Sequence, residues 1–279
     1  MAEAPADAAI ACLREGRGER HEGRVFSSDL SVDEAILLKE VGYEPRGLVM
    51  ASAIYHVGYT FTGLGQSSEI TTLSEAMAQA RNEVTHRLIA DCRQVGGDGV
   101  VGVRLTIDMF EPARHLMEFV AIGTAVAGGP GALPRRQRRP FTSDLSGQDF
   151  YLLQRAGYEP LGLVMGSCVY RVGRQGLGQW MGRQGQNVEL VPFTQAFYQA
   201  RELAMERLQS QARQLGAEGV VGVTTTERGH AWGSRAIEFF ALGTAVRLSG
   251  EEHRNLRPTM AVPLDDPLPA TDPRAIRGG

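Results

Sequence analysis

The sequence predicts an α+β protein made of two homologous, small two-layer α/β domains that assemble into oligomers. Each domain has a short helix, a strand, a long helix and two strands. Three observations predict this architecture. The 279-residue chain contains an internal sequence repeat of two copies, both copies alternate helical and strand patterns in the same order, and the strands are apolar on both faces. With 43% hydrophobic and 22% charged residues, the chain can bury two ordinary cores.

The repeat is plain in two pairs of segments. Residues 42–50, GYEPRGLVM, return as GYEPLGLVM at 157–165, an offset of 115 residues. Residues 118–126 return at 238–246, an offset of 120. The second copy therefore carries a net insertion of five residues, which lies between its first strand and its long helix.

Composition defines the segments outside the two copies. Glycine and proline crowd between the copies, and prolines recur after the second copy with little apolar content. The expected organisation is a flexible N-terminal segment over 1–25, domain 1 over 26–126, a linker over 127–140, domain 2 over 141–246 and a disordered Pro-rich tail over 247–279.

A short helix opens each copy. Ser31 and Glu34 form a capping-box pattern at its start, and Gly42 ends it because glycine readily adopts the positive φ that terminates helices. Ser146 and Gly157 take the same places in the second copy.

Strands are predicted where β-branched and aromatic residues cluster. In the first copy these clusters span residues 48–57, 100–106 and 116–126. The second copy repeats the last two at 220–226 and 236–246.

The long helix lies between the first two strands of each copy. A second capping-box pattern, at Thr72 and Glu75, predicts where it begins, and Gly96 predicts its end. Apolar residues at helical spacing form its buried stripe. They are Leu73, Met77, Ala80, Val84, Leu88 and Val95 in the first copy, and Phe193, Phe197, Ala200, Ala204, Leu208 and Leu215 in the second.

Both faces of each predicted sheet are apolar. In the last strand of the first copy, Phe119 and Ala121 share one face, while Val120 and Ile122 share the other face with Glu118. One long helix can cover only one of these faces. The second face needs another partner, either the other copy or another chain, and we therefore expect self-association.

Two motifs resemble a known family. The segment Ala-Arg-x-Leu-Gly-Ala-x-Gly-Val-Val-Gly-Val over 212–223, followed by Gly-Thr-Ala-Val over 243–246, is similar to the YbjQ-like family, which is labelled as heavy-metal-binding. The first copy departs from the pattern at Cys92, Val95 and Gly97. The resemblance implies a small α/β unit that assembles as a pentamer, with no established reaction. It implies a metal ion as cofactor through the label alone, because no ligand motif comes with it.

The implied pentamer raises a question of parity. Whole two-domain chains cannot form a ring of five domains, because five is odd. The simplest closed arrangement is five chains in two stacked rings, one ring of first domains and one of second domains, joined by the linker over 127–140. Glu118 and Glu238 would then lie in separate, similar rings.

The duplication tests candidate sites, because a site that works identically in both copies must appear in both. Cys92 stands opposite Ala212 and Cys168 stands opposite Ala53, and no histidine recurs. A repeated zinc or copper site is therefore not expected, and both cysteines are interpreted as small buried hydrophobic residues. A single asymmetric site, or one shared between chains, stays open.

Glu118 and Glu238 are recurrent carboxylates on an otherwise apolar strand face. An unpaired carboxylate there would cost on the order of several kcal/mol. One interpretation is that each carboxylate reaches water or an interface arginine. The other is a ring of carboxylates around an oligomer axis, which would hold a hard cation and make both residues candidate metal ligands.

A glycine motif recurs in the loop before each long helix. Gly63 and Gly65 return as Gly176 and Gly178, where free backbone amides could bind an anion. Neither a dinucleotide fingerprint nor a phosphate loop completes the motif, so a flexible loop is the alternative. We predict that residues 176–186 are the most mobile part of the two domains.

Two further features occur once. The linker arginines, which could contact phosphates, have no interleaved aromatic residues and are interpreted as a solvated linker; they are Arg135, Arg136, Arg138 and Arg139. Trp180 and Trp232 are present in the second copy alone, where they mark either packing or a binding surface.

Charge and composition exclude several classes of function. The net charge of −3 creates no field for general binding to nucleic acid, and no apolar run reaches the length of a membrane span. No secretory signal pattern opens the chain, so a cytoplasmic protein is expected. No catalytic motif assembles, and we predict a non-catalytic, self-assembling binding or scaffold protein rather than an enzyme. The alternative is a metal- or small-ligand-binding sensor, and an enzyme comes third.

Overall fold

The computed structural model describes residues 27–56, 67–109, 116–172, 189, 191–230 and 233–250. The first copy comprises α1 (Val32–Glu40), β1 (Tyr43–His56), β2 (Ser68–Glu69), α2 (Thr71–Gln94), β3 (Gly99–Met109) and β4 (Leu116–Gly128). The second comprises β5 (Phe141–Thr142), α3 (Gly147–Arg155), β6 (Tyr158–Arg171), α4 (Val191–Gln214), β7 (Gly219–His230) and β8 (Gly233–Leu248). The predicted α+β fold class and the order of the main elements are confirmed.

The strands form two four-stranded sheets, and each sheet borrows a strand from the other copy. Sheet 1 has the order β1-β4-β3-β5, and sheet 2 has the order β2-β6-β8-β7. The three long strands of each sheet are antiparallel and come from one copy. The two-residue strand β5 pairs parallel with β3, and β2 pairs antiparallel with β6. The two copies are therefore interlocked at their sheet edges.

The start of α1 forms as predicted. Ser31 Oγ accepts a hydrogen bond from the Glu34 backbone N–H at 3.3 Å, and the Ser31 N–H donates to the Glu34 carboxylate at 2.8 Å. Gly42 follows the helix with a φ of 79°, and a Cβ there would lie 2.3 Å from the backbone nitrogen of Ala132. Strand β1 begins immediately afterwards at Tyr43, five residues before the predicted start.

The predicted capping box at the start of α2 is not present. The helix begins at Thr71 with Ile70 at the N-cap and no side-chain hydrogen bond to the cap. The Ile70 N–H instead donates to the Val169 carbonyl at 2.8 Å, which continues the pairing of β2 with β6. Contact with the second copy therefore determines where this helix begins.

The core stripe of α2 is confirmed except at its last residue. Leu73, Met77, Ala80, Val84 and Leu88 are buried. Val95, predicted as the sixth member, is 38% exposed because the helix ends at Gln94 and turns through Gly96. Cys92 fills the last core position of the helix.

The described residues form four layers, in the order sheet 1, α2, sheet 2 and α4. One side of α2 packs on the inner face of sheet 1, at Val49, Ala51 and Ala53. Its other side packs on sheet 2, where it covers Leu163 and Met165. Helix α4 covers the opposite face of sheet 2.

The direct packing of the two copies differs from the expected stacked rings. That arrangement separates the first domain from the second, yet α2 lies between the two sheets of one chain. Residues 129–140 of the linker contain no helix or strand and fold back on both copies. The Gly129 N–H donates to Gly42, and the Arg136 N–H donates to the Glu159 carboxylate. The described residues give no support for a five-chain count.

The end of the second copy extends beyond its predicted boundary at residue 246. Strand β8 continues to Leu248, and Arg247 forms an ion pair with the buried Glu159 at 2.6 Å. The expected flexible segment 1–25 and residues 251–279 of the expected tail lie outside the described residues.

Helix α4 approaches sheet 2 most closely at Gly166. A Cβ at this position would lie 1.8 Å from the Ala204 carbonyl oxygen of α4. The first copy carries Ala51 at the same place in the repeat, so α2 leaves room there for a methyl group. The two copies therefore differ in the spacing between helix and sheet.

We expect Gly166→Ala to lower the free energy of unfolding by about 1–3 kcal/mol, because the methyl group must displace the backbone of α4. Urea unfolding followed by circular dichroism measures the change. Gly250→Ala is the matched control, since no atom lies within 4 Å of its added Cβ. An unchanged unfolding midpoint for Gly166→Ala would contradict the close approach.

Candidate functional site

The two copies pack directly on each other in the described part of the chain. We call this contact the inter-copy interface: α2 and β2 of the first copy against β6 and β8 of the second. It buries the outer face of sheet 2, including Leu163, Met165, Val169, Phe240 and Leu242, each at most 9% exposed.

A buried ion pair lies at the centre of the inter-copy interface. Arg81 Nη2 of α2 donates to Glu238 Oε1 of β8 at 2.5 Å, and both side chains are 1% exposed. The Arg81 guanidinium also stacks over the Phe240 ring, 4.0 Å from its centroid. Burial lowers the pKa of Arg81 and the Glu238 charge opposes this change, so the arginine stays a cation.

The geometry of this pair makes each partner depend on the other. Arg81 Nε and Nη1 and Glu238 Oε2 are buried and have no hydrogen-bond partner among the described residues. Removing either side chain would leave an uncompensated charge in an apolar layer, which is strongly destabilising. The pair therefore fixes the position of α2 on sheet 2.

A second ion pair holds the edge of the interface. Arg207 of α4 donates from Nη1 to Glu69 Oε1 at 2.7 Å and from Nη2 to Glu69 Oε2 at 3.0 Å, a bidentate arrangement. Its Nη1 also donates to the Ser167 carbonyl at 2.6 Å. Burial alone would raise the pKa of Glu69, but the hydrogen bonds from Arg207, Ser74 and Cys168 and the charge of Arg207 together lower it.

A cleft of about 300 Å³ opens between the two copies. Its polar lining consists of amides, a threonine pair, one histidine and one arginine, and its floor is the apolar start of β6. Asn82, Thr85 and His86 come from α2, Gln137 and Arg139 from the linker, Thr142 from β5, and Gln211 and Gln214 from α4. Among the described residues that line it there is no carboxylate or thiol.

A polar cluster that the sequence did not predict recurs in both copies. Thr124 Oγ1 accepts a hydrogen bond from the Asp29 backbone N–H, and Thr244 Oγ1 accepts one from the Asp144 N–H. Thr244 also donates to the Asp144 carboxylate at 2.5 Å. The recurrence of both Asp and Thr was the available signal. The cluster ties the start of each copy to its last strand, which is a structural task.

The structure separates the two candidate metal ligands. Glu238 pairs with Arg81 of α2 in the inter-copy interface. Glu118 lies at the same place in sheet 1, where it is partly exposed and directly opposite Asp108 on β3. The two glutamates therefore occupy different environments.

The other predicted sites yield little. Gly63, Gly65, Gly176 and Gly178 lie outside the described residues, as do Trp180 and Trp232 and the segment 176–186 predicted to be mobile. Arg135 is not freely solvated, since it donates to the Asp98 carbonyl at 2.7 Å and stacks over Phe141.

Both described cysteines are core residues. Cys92 and Cys168 are fully buried, and Cys92 donates to the Gly99 carbonyl at 3.3 Å. Burial raises the pKa of Cys92 to about 11 and that of Cys168 to about 12.

No group of three His, Cys, Asp or Glu side chains with the spacing of a metal site occurs among the described residues. No helix in that part of the chain is both long and apolar enough to cross a membrane.

Comparison with known proteins identifies the family. The model of the YbjQ family, described as "Putative heavy-metal-binding", matches residues 51–128 and 157–249, one match in each copy. The chain belongs to this family. Its two matches make it a tandem YbjQ protein, as the repeat predicted.

Curated relatives fall into two size classes. The chain is 42% identical to "Encapsulin nanocompartment protein Rv1762c" of Mycobacterium tuberculosis, over 88% of this chain and 94% of that protein. It is 40% identical to a UPF0145 protein of Halorubrum lacusprofundi over 32% of this chain and 85% of the relative. A UPF0145 protein of Vibrio campbellii is 33% identical over 34% of this chain and 94% of the relative. The latter two proteins are about as long as one YbjQ copy.

Removing Glu238 should destabilise the protein more than replacing the whole ion pair. We expect Glu238→Ala to lower the free energy of unfolding by about 3–5 kcal/mol, because Arg81 is left buried without a counter-charge. The double variant Arg81→Met/Glu238→Leu should lose less, since it leaves no charge. Urea unfolding of the single variants Arg81→Met and Glu238→Leu and of the double variant measures the coupling between the two side chains. Additive losses would contradict a coupled pair.

The native protein should protect Cys92 and Cys168 from thiol reagents. At pH 8 the raised pKa values leave less than about 1% of either thiol as thiolate, and both side chains are buried. We expect iodoacetamide to label both residues only after unfolding in urea, as read by peptide mass spectrometry. Rapid labelling of Cys168 in the native protein would contradict its burial.

Proposed function

We propose that the protein is a non-catalytic, self-assembling binding component of an encapsulin nanocompartment. The observation that carries the proposal is its 42% identity, over nearly the whole length of both chains, to a relative named for such a compartment. The cytoplasmic location expected from the sequence is part of this proposal.

The character of the described residues supports a binding role rather than catalysis. Arg81 pairs with Glu238 and Arg207 pairs with Glu69, and both ion pairs hold the two copies together. The cleft between the copies offers amides and one histidine, which suits recognition of a polar group more than bond cleavage. We infer that the protein acts by binding other molecules rather than by catalysing a reaction.

The family description favours a second candidate, a metal-binding sensor. Native mass spectrometry of the full chain with added Zn²⁺, Ni²⁺ or Cu²⁺ tests it. A stoichiometric adduct that survives desalting would support the sensor, and an unchanged mass would remove it.

Co-expression with the encapsulin shell protein of the same organism tests the leading proposal. We expect the full chain to co-sediment with assembled compartments and to resist added protease, while a fluorescent protein expressed at the same level stays in the supernatant. A chain that sediments apart from intact compartments would overturn the association. The self-association of the purified chain is measured separately, without any shell.

A further inference from the structure

The inter-copy interface has a direction. The first copy contributes a helix and a short strand, and the second contributes a sheet face and a sheet edge. Because both copies have the same fold, the second copy presents its own helix surface on α4, and the first presents its own sheet face and edge. No described part of the same chain covers either of these surfaces.

We propose that α4 of one chain binds the outer face of sheet 1 in a second copy of the chain, with Arg201 paired to Glu118 of the partner subunit. This inference specifies the self-association that is part of the proposed function. The contact would repeat the inter-copy interface between chains.

Burial at equivalent positions of the two sheets supports the proposal. Leu163, Met165 and Val169 of sheet 2 lie under α2 and are 9%, 6% and 0% exposed. Their counterparts in sheet 1 are Leu48, Met50 and Ile54, which are 38%, 56% and 51% exposed. The same apolar row is therefore covered in one copy and exposed in the other, although both rows have the composition of a buried face.

Charges on the two unused surfaces are complementary. Arg201 of α4 stands at the place of Arg81 in the repeat and is exposed, with its guanidinium 5.8 Å from the Tyr198 ring. Glu118 stands at the place of Glu238. Asp108, directly opposite Glu118 on β3, adds a second negative charge where sheet 2 carries Arg228. The acidic end of sheet 1 thus matches an arginine that lacks a buried partner among the described residues.

The sheet edges repeat the relation. In sheet 2 the edge strand β6 is covered by β2, and Glu69 binds Arg207. In sheet 1 the equivalent strand β1 pairs with β4 on one side and has no described strand on its outer side. Glu189 takes the place of Glu69 before α4 and is exposed, and Arg87 takes the place of Arg207 on α2. Strand addition across this edge would bring Glu189 of one chain to Arg87 of the partner subunit.

The far edge of the second copy provides a third match. Strand β5, from the start of the second copy, covers β3, and Val101 and Val103 are 0% and 3% exposed. On β7 the equivalent residues are Val221, which is partly exposed, and Val223, which is 40% exposed. In the proposed assembly, the start of the first copy in the partner subunit that binds α4 would cover β7. All three matches therefore join one end of a chain to the opposite end of the next.

A contact of this kind is heterologous, because the two surfaces differ. When two chains join through this contact, each still has one of its two surfaces unused. Further chains can therefore add at both ends of the assembly until a ring closes. Charge reversal at the two ends tests it. In the Glu118→Arg variant the new arginine faces Arg201 of the partner subunit. In the Arg201→Glu variant the new glutamate faces Glu118 of the partner subunit. Each variant therefore brings like charges together.

Native mass spectrometry and light scattering of the full chain, without shell protein, give the measurement. We expect the wild type to form multiples of 30.3 kDa and each single variant to fall to 30.3 kDa. Mixing the two single variants in equal amounts should restore the assembly, because Arg at 118 then meets Glu at 201. The double variant should assemble alone for the same reason. Arg213→Glu, an exposed change on the same helix, is the control and should leave assembly intact.

A monomeric wild type, or single variants that assemble like the wild type, would overturn the proposal. So would a mixture that stays monomeric while both variants retain the wild-type unfolding midpoint. Met50→Asp, on the exposed row of sheet 1, gives an independent check and should also yield the 30.3 kDa species. Association with the shell is scored separately by co-sedimentation, so loss of one property is distinguishable from loss of the other.

Discussion

One geometric constraint governs the contacts between the two copies: a three-stranded sheet with two apolar faces carries a single long helix of its own. In sheet 2 the second face is covered by α2, which already covers the inner face of sheet 1. That helix therefore has an apolar stripe toward sheet 1 and a second buried stripe, with Ser74, Arg81 and Thr85, toward sheet 2. The short strand β2 and the start of α2 at Ile70 follow from the same docking, since both are positioned by β6.

The environment of a residue in this protein depends on which copy carries it, even where the sequence is the same. Glu238 is 1% exposed and paired, whereas Glu118 is partly exposed beside another carboxylate. The two copies also differ in sequence next to these glutamates. Phe240 gives Arg81 an aromatic face in the second copy, and Val120 stands in its place in the first. The buried glutamate, Glu238, thus lies beside an arginine and an aromatic ring, which the partly exposed Glu118 does not need.

Local patterns allowed much of the fold to be predicted. The repeat, the α1 cap and the α2 stripe depend on spacing within a few turns, and the structure contains them. Strands β2 and β5 were not predicted, because two residues acquire strand pairing from a neighbouring edge rather than from their own side chains. Arg81 and Glu238 recur separately in the sequence, but their pairing spans 157 positions and depends on how the copies pack. The Thr124 and Thr244 contacts were missed for the same reason.

The linker has a kinetic consequence. Residues 129–140 hold the two copies of one chain at an effective concentration on the order of millimolar, far above that of free domains in a cell. Docking of α2 on sheet 2 is therefore a unimolecular step that requires no loss of translational entropy between separate molecules. Dilution leaves it intact, and the burial of Arg81 and Glu238 does not depend on how much protein is present.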